Sequence, residues 1–140
     1  MMGDPTTLLR QAALKVTQPR LEILRRFITQ EHTHQSAENI YQSFLKSKHP
    51  IALATVYRVL EQFTQAGLLK RHYFDGKVAM FELNQHSQHA HLICNQCGEV
   101  IEFEDDIISA RLKQIAASHQ LKIVDQTVYV YGECECQQPV

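Results

Sequence analysis

The sequence lacks the features that would place the chain in a membrane or outside the cell. No apolar run approaches the length of a membrane span, and the N-terminal residues have neither the charged nor the apolar region of a signal peptide. Cysteine is also scarce, with four in 140 residues. We therefore expect a cytoplasmic protein without a membrane partner, in which a Cys-x-x-Cys motif indicates metal binding rather than a disulfide.

The small net charge of −1 conceals an asymmetry along the chain. Residues 1–84 carry eleven Lys and Arg against seven Asp and Glu, whereas residues 85–140 carry three against eight. The two halves therefore have net charges of +4 and −5. A hydrophobic content of 44% supports folded cores, and the length allows two small domains. We predict domains at 1–84 and 85–140, of which only the first contacts a polyanion.

The first half has the pattern of a winged helix. Apolar residues recur at helical spacing in about residues 19–29, 36–45 and 54–66, after a shorter helix at about 6–13. Thr17 and Ser36 are suited to cap helix N-termini, and Gly67 to end the last helix. Asp75-Gly76 then joins strand-like residues 68–74 and 77–83, which predicts a hairpin. Three helices and a hairpin wing form a well-known DNA-docking unit.

The last of these helices has a polar outer face. Val56, Val59, Leu60 and Phe63 form its expected buried stripe, which leaves Thr55, Tyr57, Arg58, Glu61, Gln62 and Gln65 exposed. Arg58 can donate two hydrogen bonds to guanine, and Tyr57 can contact a thymine methyl. On an isolated helix this pattern would indicate only a solvated surface, but its place before a wing favours DNA reading. The candidates for phosphate or minor-groove contacts are Lys15, Arg20, Lys70, Arg71 and Lys77.

The second half is predicted to be a small α/β unit. Its expected elements are strands at about 90–94, 99–103 and 122–131 and a helix at about 105–119. Fewer than sixty residues rarely form an independent core without a staple or a partner. We expect zinc to be the staple and a second copy of the chain to be the partner, so the overall fold is mixed α/β (α+β).

The four cysteines indicate a structural zinc site. Cys94 and Cys97 have zinc-knuckle spacing. Cys134 and Cys136 would point to opposite faces of a regular strand, so both can bind zinc only if the backbone turns, which Gly132 would permit. Four-cysteine ligation is the preferred interpretation, and three cysteines plus another ligand is the alternative.

A second, exchangeable metal site is indicated by His89 and His91. The two imidazoles point the same way if this segment is a strand. Glu82, Glu102 and His34 are further candidate ligands, although each alone would usually be an ordinary surface residue. A mixed nitrogen–oxygen set suits Fe²⁺, Mn²⁺, Zn²⁺ or Co²⁺ without selecting among them. One structural and one responsive metal would make the protein a sensor.

These motifs together resemble the ferric uptake regulator family. The likeness lies in LKVTQPR at 14–20, ATVYRVL at 54–60, the His-x-His-x-x-Cys-x-x-Cys-Gly pattern at 89–98 and VIEF at 100–103. It runs through essentially the whole chain in order. The resemblance implies a homodimeric metal-responsive repressor, not an enzyme, that binds palindromic AT-rich operators of metal-uptake genes when loaded with Fe²⁺. Assembly of dimers into tetramers stays open.

The resemblance also implies roles for particular residues. The regulatory site would be His34, Glu82, His89, His91 and Glu102, and the structural zinc site Cys94, Cys97, Cys134 and Cys136. Lys15 would enter the minor groove, whereas Tyr57 and Arg58 would read bases. Thr55, exposed on the same helix, and Arg20, a phosphate or minor-groove candidate, complete the predicted DNA-binding set. One ion, Fe²⁺ or a replacement such as Mn²⁺, Co²⁺ or Zn²⁺, would then join the two halves and couple metal affinity to DNA affinity.

The chain departs from many iron-type members at an auxiliary metal site. Gln88, Ala90, Ser109 and Gln126 stand at the ligand positions, and none is a good ligand for a divalent metal. We predict that this site is absent and that neither His86 nor His119 replaces it. Within the family, peroxide sensors commonly have aspartates where this chain has Glu82 and Glu102, so these residues weakly favour iron or zinc sensing over peroxide sensing. A manganese-sensing regulator of the same family is a further alternative.

Two other classes are alternatives. A zinc hydrolase could use three ligands and an open position, but no general base accompanies the histidines. A constitutive winged-helix protein with structural zinc alone would not need His89 and His91 for DNA binding.

Overall fold

The computed structural model of the chain describes residues 3–29, 34–74, 77–84 and 89–135. The fold divides into two units, Met1–Gln85 and His86–Val140. None of the helices in the described ranges is long and apolar enough to span a bilayer.

The first unit begins with four helices. They are α1 at Pro5–Gln11, α2 at Gln18–Thr29, α3 at Ala37–Phe44 and α4 at Leu53–Gln65. The Thr17 hydroxyl accepts a hydrogen bond from the Arg20 N–H at 3.4 Å, and Ser36 forms a capping box with Asn39. Gly67 has a φ of 81°, the left-handed conformation in which a helix commonly ends. The predicted start and stop signals are therefore confirmed.

The core of the first unit is built around α4. All four apolar positions predicted for its inner stripe are buried, and they pack in one cluster with Ile23, Leu24 and Phe27 of α2 and Ile40 of α3. Leu45, the last apolar residue of the helix predicted at about 36–45, is exposed because α3 ends at Phe44 and Leu45 forms its C-cap.

The wing is a three-stranded antiparallel sheet rather than a two-stranded hairpin. Its strands are β1 at Gln35–Ser36, β2 at Leu69–His72 and β3 at Met80–Leu83, in the order β1-β3-β2. The two-residue strand β1 was not predicted, because it is held by pairing with β3 rather than by a local pattern. The predicted Asp75-Gly76 turn lies outside the described residues.

The second unit contains a smaller sheet and one helix. Its elements are β4 at Ala90–Cys94, β5 at Val100–Phe103, α5 at Asp106–Ser118 and β6 at Val128–Gly132. The strand order is β5-β4-β6, with β5 antiparallel and β6 parallel to β4. The prediction that a strand begins at Lys122 was wrong by six residues. Asp125 accepts a hydrogen bond from the Gln126 N–H at 2.9 Å, a local bond that competes with a strand ladder.

The second unit buries few apolar side chains of its own. Asp105 caps α5 by accepting from the Ile107 and Ile108 N–H groups at 2.9 and 3.0 Å. However, no residue of α5 is buried, and Ile107 is 81% exposed. One face of the sheet, which contains Leu92, Ile101 and Val130, is likewise substantially exposed.

Candidate metal and DNA sites

The face of the wing sheet opposite Phe81 carries a buried carboxylate between two imidazoles. Glu82 is only 4% exposed. Its Oε2 lies 3.0 Å from Nε2 of His34, and its Oε1 lies 2.6 Å from Nε2 of His72. A carboxylate that is nearly excluded from water is costly unless such partners are present. The group therefore has the donor chemistry of a metal site and is more than a surface ion pair.

Strand register explains why these three residues meet. Glu82 lies on the central strand β3 of the sheet. The residue before it, Phe81, points to the opposite side, into the helical core. Gln35 pairs with Phe81, so His34 comes opposite Glu82 when the register is continued by one residue. His72 pairs with Met80 and is a diagonal neighbour of Glu82 on the same face. The sequence interpretation included His34 and Glu82 but missed His72.

A second nitrogen–oxygen group lies on the sheet of the second unit. His91 pairs directly with Glu102, and His89 is two residues before His91, so all three share one face. Glu102 Oε1 is 3.9 Å from Nε2 of each histidine. These separations are too long for hydrogen bonds. Ligand atoms that surround one ion at about 2.1 Å lie roughly 3–4 Å apart, so the spacing suits metal binding after a small adjustment.

His91 is held more firmly than His89. It is 1% exposed, and its ring lies 5.7 Å from the Tyr129 ring and 5.0 Å from the His89 ring, measured between centroids. Tyr129 is its pairing partner on β6. The His91 imidazole is therefore restricted by Tyr129 on β6 and by His89, two residues before it in the chain.

Three of the four cysteines come together at the end of the same sheet. The sulfur atoms of Cys94, Cys97 and Cys134 all lie within 4.8 Å of one another. Cys94 and Cys97 are free thiols, as predicted, and together with Cys134 they form a group of sulfur atoms that could hold a metal ion. Zinc would bind these sulfurs as thiolates.

The local backbone prepares Cys94 for metal binding. The Cys97 N–H donates to its Sγ at 3.4 Å, and the Cys134 N–H does so at 3.3 Å. The hydrogen bond from Cys97 is the largest influence that lowers the pKa of the Cys94 thiol to about 7. Gly98, with a φ of 77°, completes the turn after Cys97. These features fit a thiolate zinc site, although Cys136 lies outside the described residues.

The predicted DNA-reading residues lie on the outer side of α4. Tyr57 is 51% exposed and Arg58 is exposed, whereas Thr55 is half-buried. Lys15 is exposed in the segment between α1 and α2. The side chains that would read bases are thus available to solvent, opposite the buried stripe of the helix.

Arg20, a candidate for a phosphate or minor-groove contact, also connects two parts of the first unit. Its Nε and Nη2 donate to Oε1 of Gln62 at 3.3 and 3.0 Å, and its Nη1 donates to the Lys15 carbonyl at 2.7 Å. The guanidinium therefore joins the Lys15 segment to α4. Arg71, another phosphate candidate, forms an ion pair with Glu61.

The residues at the auxiliary-site positions provide no strong ligand in the described ranges. Ala90 is buried, and Ser109 and Gln126 are half-buried, while Gln88 and His86 lie outside the described residues. The absence of an auxiliary site stays a prediction.

A winged-helix unit with an exposed polar recognition helix, followed by an α/β unit with nitrogen, oxygen and sulfur donors, defines a metal-responsive DNA-binding regulator. The family model described as "Ferric uptake regulator family" matches residues 11–131. The chain is 48% identical to the ferric uptake regulation protein of Escherichia coli strain K12 over 133 residues, 95% of this chain and 90% of that protein.

Solved structures agree with this assignment. The ferric uptake regulator of Pseudomonas aeruginosa with manganese has a TM-score of 0.87 at 42% identity, covering 94% of this chain and 98% of that one. The Vibrio cholerae ferric uptake regulator has a TM-score of 0.80 at 46% identity, covering 94% and 100%. The chain therefore belongs to the ferric uptake regulator family, whose members are transcription regulators and not enzymes.

Proposed function

We propose that the chain is a homodimeric, Fe²⁺-responsive repressor that binds palindromic AT-rich operators of metal-uptake genes in the cytoplasm. The observation that carries this proposal is the presence of an incomplete nitrogen–oxygen donor group on each unit. The relatives named for ferric uptake, and a Francisella tularensis regulator solved with iron, favour iron as the regulatory metal. The manganese-bound Pseudomonas structure shows that a family member accepts a substitute.

The proposed regulatory ion takes ligands from both units. His34 and Glu82 would come from the wing, and His89, His91 and Glu102 from the second sheet. Neither group alone fills the coordination of a divalent ion that prefers five or six ligands. An ion that uses both groups would restrict how the two recognition helices of a dimer are spaced. Metal and DNA would then each raise the affinity for the other by the same factor.

The proposed dimer forms through the second unit. Exposed Leu92, Ile101 and Val130 share the sheet face opposite His91, and α5 adds Ile108 and Ile115, which are also exposed. The paired sheet residues form a contiguous apolar patch, and exposed patches of this kind commonly mark interaction sites. The apolar face would pair the chains while the opposite face binds the regulatory metal. Zinc at the cysteines would hold the end of this sheet.

DNA reading is assigned to α4 and the segment before α2. Arg58 and Tyr57 would contact base edges in the major groove, with Thr55 beside them, and Lys15 would enter the minor groove. Arg20 would support this arrangement by holding the Lys15 carbonyl and Gln62 together. We expect Arg58→Ala to cost about 1–3 kcal/mol on the operator and little on random DNA. Lys15→Ala should weaken binding to both and reduce the salt dependence. Equal losses by both variants on both DNAs would contradict these roles.

The central test is anaerobic DNA binding with controlled metal. Zinc-loaded protein would be titrated onto a palindromic AT-rich duplex and a scrambled duplex, with Fe²⁺, Mn²⁺ or Zn²⁺ added in turn. We expect the added metal to strengthen operator binding and His91→Ala to abolish that increase without unfolding the protein. His119→Ala, which changes an exposed histidine at the end of α5, is the matched control.

The outcomes separate the alternatives. If operator binding is equally tight without the added metal, the protein is a constitutive winged-helix protein and the proposal is wrong. If only Zn²⁺ or only Mn²⁺ stimulates binding, the regulatory mechanism stands and the choice of iron is wrong.

A further inference from the structure

His72 is a buried histidine at the wing group that the proposed ligand set does not use. It is 2% exposed, and its Nε2 lies 2.6 Å from Oε1 of Glu82. The other carboxylate oxygen, Oε2, is the one that faces Nε2 of His34 at 3.0 Å. The two oxygens of Glu82 are therefore divided between the two imidazoles. His34 comes from the segment that precedes β1, and His72 is on β2.

The His72 ring is fixed by its own neighbours. It stacks on Phe74 with a centroid separation of 5.0 Å and an interplanar angle of 12°. It meets the His34 ring edge-on, at 5.7 Å and 84°. Phe74 also contacts the His34 ring edge-on at 4.8 Å. Because two rings restrict its rotation, His72 presents one nitrogen to Glu82 in a defined direction.

The two Glu82 distances have different chemical meanings. The 2.6 Å separation from His72 is a short hydrogen-bond length and is compatible with an N–H donor to a carboxylate. Two atoms that bind the same ion at about 2.1 Å are usually separated by roughly 3 Å or more. The 3.0 Å separation of His34 Nε2 from Oε2 satisfies that condition. The carboxylate therefore has one oxygen held by His72 and one oxygen directed to the metal side.

We infer that His72 is a positioning residue for the regulatory metal: its Nε2–H holds Oε1 of Glu82, so that Oε2 faces the ion beside His34. This inference rests on the proposed regulatory site. His72 itself does not bind the ion. Hydrogen bonds of this kind orient metal ligands, and their loss typically reduces metal affinity about 10–100-fold. His72 also ties β2 to β3 through side chains, so the wing strand and the ligand are held as one unit.

The test compares His72→Leu with His72→Gln in zinc-loaded protein. Leucine keeps apolar volume but cannot donate, whereas the glutamine amide can place an N–H near the position of Nε2. Co²⁺ would be titrated anaerobically and followed by its visible absorption bands, which report both affinity and ligand geometry. We expect the Leu variant to bind Co²⁺ about 10–100-fold more weakly. The Gln variant should recover most of the affinity and show the parent's band positions, because the ligands are unchanged.

Two outcomes would overturn the inference. If the Leu variant binds Co²⁺ as tightly as the parent, Glu82 does not depend on His72. If both variants lose affinity equally and the band positions shift, His72 is a ligand and not a positioning residue. His49→Leu, at an exposed histidine of the same unit, is the control for substitution as such.

A metal-free measurement keeps the inference testable if the Leu variant does not fold. In ¹⁵N-resolved NMR of the parent, His72 should be the Nε2–H tautomer, and Glu82→Gln should change its Nε2 resonance. A His72 ring protonated only at Nδ1 would contradict the donor role. Failure of the proposed function has a separate signature: His91→Ala would then bind Co²⁺ as the parent does, whatever the His72 variants show.

Discussion

The first unit contains one cluster of fourteen buried apolar side chains, whereas Ala90 and Ile93 are the buried apolar residues described in the second unit. The first unit can therefore be stabilised by the packing of its own helices. The second unit exposes one sheet face, has no buried residue in α5, and is expected to depend on additional interactions. The unit proposed to read DNA thus has a core of its own, whereas we expect the second unit to depend on zinc and on a partner chain.

Removal of zinc is the strongest way to test this difference. In zinc-finger peptides, bound zinc contributes about 10–16 kcal/mol of apparent folding energy at pH 7. Chelation, or Cys97→Ser, should therefore greatly reduce, without abolishing, the protection of the β4, β5 and β6 amides against hydrogen exchange, and it should weaken dimerisation. The amides of α2 and α4 should keep their protection. An equal loss of amide protection in both units would show that the first unit is not stabilised by its own core alone.

A substitution that creates a cavity in the core of the first unit should destabilise that unit, whereas zinc removal should destabilise the second. Phe63 is fully buried in the cluster around α4. Phe63→Ala should lower the free energy of unfolding of this unit by about 3–5 kcal/mol, because of lost apolar contacts and the cavity left behind. Val124→Ala in the second unit, at a side chain 97% exposed, should change stability by less than about 0.5 kcal/mol. Urea unfolding monitored in each unit would measure both, and a small loss at Phe63 would contradict the described core.

Each unit contains a glycine with a positive φ, so the same Gly→Ala substitution can be compared in the two units. Gly67 and Gly98 have φ values of 81° and 77°, and an added Cβ would meet no atom within 4 Å at either position. Alanine should therefore cost about 1–2 kcal/mol at each, from backbone strain alone. At Gly67 the loss should appear in helix stability, and at Gly98 in zinc affinity. Gly132→Ala, where φ is not positive and the space is also open, is the control.

The smallest expected effect is a pH dependence of the second unit without zinc. The pKa of Cys94 in the folded chain is about 7, below its ordinary value of 9.0. Between these values the unfolded thiol binds more protons than the folded one, so stability should rise with pH. The folded fraction of the zinc-free unit should therefore increase from pH 7 to 9 and decrease as pH falls through about 7. Amide exchange in β4 would measure it.

The control for this dependence is Cys94→Ser, which removes the titrating thiol. The variant should lose the rise between pH 7 and 9. If parent and variant respond identically to pH, the backbone hydrogen bonds to Sγ do not stabilise the thiolate.

Sequence patterns predicted the helices of the first unit well, because their apolar spacing and caps are local signals. Val56, Val59, Leu60 and Phe63 are all buried as expected. Strand β1 could not be predicted in this way, since Gln35 and Ser36 are held by non-local pairing with β3. The start of β6 was also wrong, because residues before Val128 use local hydrogen bonds.

The candidate ligands were recognised from their types and spacing, but their hydrogen-bond partners were not. His72 is not among the predicted ligands, and its neighbours Lys70 and Arg71 are candidates for phosphate or minor-groove contacts. The hairpin register could have indicated it, since it places His72 diagonal to Glu82 on one face. The charge of Arg20 makes it a candidate for phosphate or minor-groove contacts, but its bonds to Gln62 and to the Lys15 carbonyl are not visible in the sequence. A side chain's partner across the fold cannot be read from local composition.

The neighbours Phe81 and Glu82 point to opposite sides of β3, one into apolar packing and one into a polar group. A shift of β3 by one residue would exchange the two side chains. The Glu82 carboxylate would then lie in the apolar core, and the Phe81 ring would lie among the imidazoles. The register of β3 is therefore fixed by both faces of the strand, the apolar face that carries Phe81 and the polar face that carries Glu82. A displacement of the Glu82 carboxylate would therefore also shift the Phe81 ring next to it in the strand. That ring belongs to the same buried cluster as Val56 and Phe63, which lie on the inner side of α4.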